Sequence, residues 1–140
     1  MDLAELIDRQ EIVDVITAYT RAVDTGQWDD LYAVFTEDAV LDYTPTGGTA
    51  GPLSEAIPFI RNLELFDAWQ HLIGQVAITF EDESRSAAKA TAYFFNPMVA
   101  TNPDGTKHVV EVGGYYHHQL VRTGDGWRSR HMVDDLIWSR

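Results

Sequence analysis

The second half of the chain is four long stretches of strand-forming residues joined by very short turns, and few folds accommodate that. Gln70 to Glu81, Ala87 to Thr101, Val109 to Arg122 and Trp127 to Ile137 read as strands. Their connections are Glu81-Asp82-Glu83-Ser84, Asn102-Pro103-Asp104-Gly105 and Thr123-Gly124-Asp125-Gly126, all rich in turn-forming residues. The first half reads differently. Ile12, Val15, Ile16, Tyr19 and Val23 recur at helical spacing between Glu5 and Val23, and Gly26 follows as a C-terminal glycine would. A short helix is expected from Trp28 to Phe35, then a strand from Ala39 to Tyr43. Thr44 to Pro52 is a loop by composition. Ser54 is the expected N-cap of a third helix running to about Phe66, with Pro58 near its first turn. Helices followed by an antiparallel run predict an α+β fold, one domain over residues 1–140. The sheet, mixed or antiparallel, is expected to curl around the N-terminal helices and enclose a cone-shaped pocket.

Composition narrows the chemistry. With 140 residues, 45% of them apolar, the chain can bury a core. Its formal net charge of -12 repels phosphate backbones and anionic lipid, so neither nucleic acid nor a membrane is an expected partner. There is no cysteine, which excludes disulfides, thiolate metal sites and cysteine nucleophiles. No apolar run reaches the length of a membrane span, and no basic stretch precedes an apolar one at the N-terminus, so a cytoplasmic location is the expectation. Gly47-Gly48 and Gly51 match no phosphate loop, and the serines lack a nucleophile elbow. There is no His-Glu-x-x-His, and the neighbouring strand residues His117 and His118 cannot chelate one ion together, so no metal is expected.

What remains is acid–base chemistry. Asp24 sits in the last turn of the first helix, where an acid opposes the macrodipole. His71 stands in Trp69-Gln70-His71-Leu72-Ile73-Gly74, at the start of an apolar strand. If the fold joins them, the carboxylate orients the imidazole and balances its charge, and His71 becomes a general base. Tyr43, at the end of the first strand, could donate to an oxygen that gains charge. In Gly113-Gly114-Tyr115-Tyr116-His117-His118-Gln119-Leu120, alternation puts Tyr115, His117 and Gln119 on one face and Tyr116, His118 and Leu120 on the other. His131, Asp134 and Asp135 read as surface or rim residues, and Trp28 as core or lining.

The runs AVDTGQWDDLYAVFTEDAVLDY, WQHLIGQV and GGYYHHQLVRTGDGWR resemble the SnoaL-like branch of the nuclear-transport-factor-2-like superfamily, in order and over nearly the whole chain. That branch is similar to scytalone dehydratase, the bile-acid 7α-dehydratase and hexachlorocyclohexane dehydrochlorinase. The resemblance implies that Asp24 orients, that His71 abstracts a proton beside a leaving group, and that no cofactor is needed. It also implies a catalytic role for Tyr43 and a substrate-lining role for Tyr115 and His117. The tyrosine that precedes the acid in scytalone dehydratase is Val23 here, and the histidine of its third strand is missing around Asn96-Pro97-Met98. By the same resemblance the chain forms a homo-oligomer, a dimer or trimer.

The expected activity is a cofactor-independent lyase of dehydratase type, or an isomerase, acting on a small hydrophobic cyclic, polyketide- or steroid-like molecule. Trp28, Phe59 and Met98 join Tyr115 and His117 as expected substrate contacts. The rival readings are a non-catalytic binding protein of the same fold, a structural protein like the small subunit of ring-hydroxylating dioxygenases, and an epoxide hydrolase, which needs an Asp-Arg-Asp set in the pocket that Arg128 and Arg130 are not placed to supply.

Overall fold

Helix α1 (Leu3–Asp24) forms where the apolar stripe recurs, and Ile12, Ile16, Tyr19 and Val23 on that stripe are all buried. In the computed structural model, which describes residues 1–140, Asp2 caps its start by accepting the Glu5 N–H at 2.8 Å. The helix ends as expected. Gly26 adopts φ +67°, and the N–H groups of Thr25 and Gln27 close the last turn on the carbonyls of Arg21 and Ala22.

Two other helical expectations are corrected. Trp28–Ala33 is a 3₁₀ turn rather than a helix reaching Phe35, and Phe35 instead opens strand β1 (Phe35–Asp42). Helix α2 covers only Leu53–Ile60 and tightens into a 3₁₀ turn over Arg61–Leu65. Pro52, not Ser54, occupies its N-cap position, and no side chain caps it. Pro58 lies inside α2 and has no N–H for the preceding turn, which weakens the helix close to the point where it ends.

The remaining strands are β2 (Ala50–Gly51), β3 (Ala68–Trp69), β4 (Leu72–Phe80), β5 (Ala87–Thr101), β6 (Lys107–Thr123) and β7 (Gly126–Ser139). They form one seven-stranded sheet in the order β2-β1-β7-β6-β5-β3, with β4 also on β5. Every pairing is antiparallel except β1 with β7, which is parallel. The sheet is therefore mixed and curves around α1, an α+β arrangement with α1 against β4 and β7. Ile12, Ile16, Leu31, Leu41, Leu120 and Met132 fill the space between helix and sheet and are fully buried. No helix is long and apolar enough to cross a membrane.

The strand expected over Gln70–Glu81 is split. Trp69 pairs with Met98 and Leu72 with Phe95, so the register runs unshifted through the gap and sets His71 opposite Asn96. The ladder lapses for two reasons. Pro97 has no N–H to give Gln70, and the His71 N–H turns to the Asp24 carboxylate instead. The break that hides the histidine from a strand pattern is the contact that holds it.

Strand β6 crosses β7 at Gly113 and Gly114, where the register shifts. A Cβ on Gly114 would lie 2.1 Å from the Asp135 carbonyl oxygen, and one on Gly113 would lie 2.3 Å from the Trp138 indole. The first obstacle is backbone; the second is a side chain that is 40% exposed and can swing away. Gly114→Ala is expected to destabilise by about 3 kcal/mol and Gly113→Ala by clearly less. Equilibrium urea unfolding of the two variants checks the order.

Candidate active site

The last turn of α1 and the β3–β4 junction meet at two residues. Asp24 Oδ2 accepts the His71 backbone N–H at 2.8 Å, and Asp24 Oδ1 lies 2.6 Å from His71 Nδ1. One carboxylate thus fixes both the backbone and the ring of the histidine. A third bond braces the corner: Trp69 Nε1 donates to the Val23 carbonyl at 3.1 Å and satisfies one of the free carbonyls at the helix end. The unfavourable position of an acid at a helix C-terminus is offset by the two donors it gains from His71. The His71 side chain is only 6% exposed and that of Asp24 is 18% exposed. With Nδ1 engaged by Asp24, Nε2 carries no protein partner.

His71 reaches a cavity of about 290 Å³, lined largely by apolar side chains. Phe94 and Tyr116, stacked at 4.3 Å, form part of its wall. Val23, Phe59, Met98 and Leu136 contribute further apolar surface. Tyr43 lines it too and is buried, with its hydroxyl 2.5 Å from that of Tyr19. Between two hydroxyls one proton makes the bond and one is left over, so this pair keeps a single O–H for a third partner. Burial, first, and the neighbouring phenols raise Tyr43 well above the ordinary tyrosine range, and burial does the same for Tyr19 and Tyr116. All three stay neutral donors at physiological pH.

Of the residues singled out from sequence, Asp24 and His71 meet, and Tyr43, Phe59 and Met98 line the same cavity. Three do not. Tyr115 packs on Tyr93 at 4.8 Å, on the sheet face turned away from the cavity. His117 lies on that same outer face, with Nδ1 3.0 Å from Thr91 Oγ1 and Nε2 3.0 Å from Asp135 Oδ2. Trp28 sits at the edge of the core with the Arg61 guanidinium 5.8 Å over its ring. Arg128 donates to the Tyr32 carbonyl, and neither it nor Arg130 lines the cavity. No group of three His, Asp or Glu side chains is arranged to hold a metal ion.

Tyr19, Asn96, Tyr116 and Asp134 line the cavity without having been marked as site residues by the sequence. The alternation of β6 was legible, and its most apolar member, Leu120, shares a face with Tyr116 and His118; that marked the inner face. His118 is buried there with Nδ1 2.9 Å from Ser129 Oγ, and burial pushes it down to about 3. In β7, Met132 is fully buried, and a period of two from it leads to Asp134. Asp134 is therefore half-buried and lines the cavity, with Oδ1 out of contact with solvent. Burial, then the charge of Asp135, pushes its carboxyl up to about 7.

An uncharacterized protein of Mycobacterium tuberculosis is 33% identical over 141 residues, spanning 100% of this chain and 92% of the relative. A structure from Novosphingobium aromaticivorans, named as a candidate aromatic ring hydroxylase, superposes with a TM-score of 0.81 at 29% identity, over 96% of this chain and 93% of that one. A candidate scytalone dehydratase from the same organism gives a TM-score of 0.83 at 15% identity, over 97% and 88%. The hexachlorocyclohexane dehydrochlorinase LinA-type3 of Novosphingobium barchaimii gives 0.82 at 15% identity, over 100% and 93%. At 15% identity these last two share the fold. The sequence profile of the SnoaL-like domain matches residues 4–133, and the chain belongs to that family, within the nuclear-transport-factor-2-like superfamily.

Proposed function

We propose that the protein is a cofactor-independent lyase or isomerase in which His71 removes a proton from carbon. The observation that carries this is the Asp24–His71 pair: the carboxylate engages Nδ1 and leaves Nε2 free beside an apolar cavity. Nε2 takes a proton from carbon next to a carbonyl or an unsaturated ring, and Asp24 balances the imidazolium that forms, as the acid does in hydrolytic triads. The spare hydroxyl proton of the Tyr19–Tyr43 pair is a donor for the oxygen that gains charge. In an isomerisation the imidazolium returns its proton to a different carbon. In an elimination the leaving group departs as the new double bond forms.

The cavity supports a small substrate. About 290 Å³ lies at the low end of the volumes that ligand pockets span, which favours one to three rings over a four-ring steroid. The aromatic wall of Phe94 and Tyr116 suits a flat ring, and the name of the hydroxylase-like neighbour points to ring ligands as well. Proton transfer is preferred to hydroxylation for this chain because the dyad is a proton-transfer device. A homo-oligomer of two or three copies is part of the same proposal, supported by exposed Tyr93, Val109 and Trp138 on β5, β6 and β7.

The test is proton exchange. β-Tetralone, a two-ring ketone with acidic C–H bonds, is incubated with the protein in deuterated water and followed by NMR. Deuterium entering the carbon next to the carbonyl faster than in buffer, and not with His71→Ala, is the expected result. Binding without exchange would assign the cavity to a carrier rather than an enzyme.

A further inference from the structure

Two buried oxygen atoms in the cavity wall have no hydrogen-bond partner: Oδ1 of Asn96 and Oδ1 of Asp134. The third such atom in the molecule, Nε2 of His118, does not line the cavity. Buried polar groups in folded proteins are nearly always paired, and an exception inside a cavity marks a place where something else completes the bond. The two atoms have different neighbours. Asn96 stands opposite His71 in the strand register and belongs to the proton-transfer end. Asp134 is on β7, opposite Tyr116 of β6, which in turn faces Ala92 of β5. Two strands therefore separate β7 from the β3–β4 junction that carries His71.

We propose that Asp134 is a specificity-determining residue whose buried, unpartnered Oδ1 is completed by a hydrogen bond with a hydroxyl on the substrate. Resting on the proton-abstraction reading for the reaction itself, it names the substrate class: an apolar, ring-containing molecule that carries a hydroxyl. The surroundings agree. Tyr19, Tyr43 and Tyr116 line the same cavity as Asp134 and are neutral. The nearest charge, Asp135, is negative and opposes ionisation. Raised to about 7, the carboxyl is partly protonated at neutral pH, and it can both donate to and accept from a substrate hydroxyl. A site built to pair with a substrate oxygen discriminates sharply against the analogue that lacks it.

The probe is a matched pair, β-naphthol and naphthalene, which differ by one hydroxyl. Dissociation constants are measured by tryptophan fluorescence for the unaltered protein and for Asp134→Leu, Asp134→Asn and His71→Ala. The unaltered protein is expected to prefer β-naphthol by about 10-fold or more. Asp134→Leu should reduce that preference to near unity, while Asp134→Asn, which keeps a donor, should retain part of it. His71→Ala should leave the preference intact, which separates this inference from the base assignment: loss of exchange tests His71, and loss of discrimination tests Asp134. An unchanged preference in Asp134→Leu, or equal affinity for both probes in the unaltered protein, would overturn the proposal. If the leucine variant fails to fold, the carboxyl carbon resonance of Asp134 decides. A shift with β-naphthol and none with naphthalene supports the assignment, and a resonance indifferent to both overturns it.

Discussion

Asp24→Asn is expected to slow proton exchange about 10³- to 10⁴-fold while the protein stays folded. The reason lies in what an amide can offer. Asp24 accepts twice, from the His71 backbone N–H and from the ring. An asparagine has one accepting oxygen and one donating NH₂. If the oxygen keeps the backbone N–H, the NH₂ faces Nδ1, which must then accept. The ring proton moves to Nε2, and the base is blocked by its own proton. The variant keeps its shape and loses its tautomer. His71→Ala removes the base itself and should cost at least as much, with only the positioning and phenol donors remaining. Circular dichroism and thermal melts of both variants, run beside the exchange assay, distinguish lost chemistry from lost structure. A variant of either kind that exchanges at the unaltered rate would refute the role of the pair.

The second large effect lies at the opposite end of α1. Asp8 is buried, with Oδ1 accepting from Trp127 Nε1 at 3.2 Å and contacting the Arg122 guanidinium at 2.8 Å, and Oδ2 accepting from Arg85 at 3.0 Å. Arg122 also lies 4.9 Å over the Trp127 ring and donates to the Arg85 carbonyl. One carboxylate therefore ties the helix to the β4–β5 turn and to β6 and β7. Asp8→Ala leaves the Trp127 N–H and two cations without it. The guanidinium groups retain access to water, so the loss is set at about 3 kcal/mol, the lower end for a broken buried ion pair, or about 10 °C in Tm. The pH dependence has a definite sign. Burial alone would raise this carboxyl, but the hydrogen bonds from Trp127, Arg85 and Arg122 outweigh it and hold it below the ordinary range. Its contribution is therefore complete above the unfolded value of about 3.9 and is lost as the pH falls through that value toward the lower folded one. Unfolding free energies at neutral and acid pH should differ less in Asp8→Ala than in the unaltered protein.

Much of the architecture was legible because its signals are local. Alternation and turn residues give β5, β6 and β7 nearly to their ends, and Gly26 marks the end of α1. The site was legible in part for the same reason: an acid at a helix C-terminus and a histidine in an apolar run are both conspicuous. Alternation, however, yields two faces without saying which is inside. The family resemblance favours Tyr115 and His117 over Tyr116, although Leu120 on the Tyr116 face argues for the reverse. Asp134 escaped notice because acids seldom face a core, and only the burial of Met132 two residues earlier reveals its direction. The gap at Gln70 and His71 could not be read locally. It depends on Pro97, far along the chain, and on Asp24, farther still on the other side.

Proton abstraction by His71 requires an imidazole whose Nδ1 carries the proton and whose Nε2 lone pair faces the cavity. A long-range proton–nitrogen NMR correlation on the neutral His71 ring measures this directly, with no substrate needed. The expected result is a protonated Nδ1, its proton shifted far downfield by Asp24, and a bare Nε2. A ring protonated on Nε2 in the unaltered protein would contradict it.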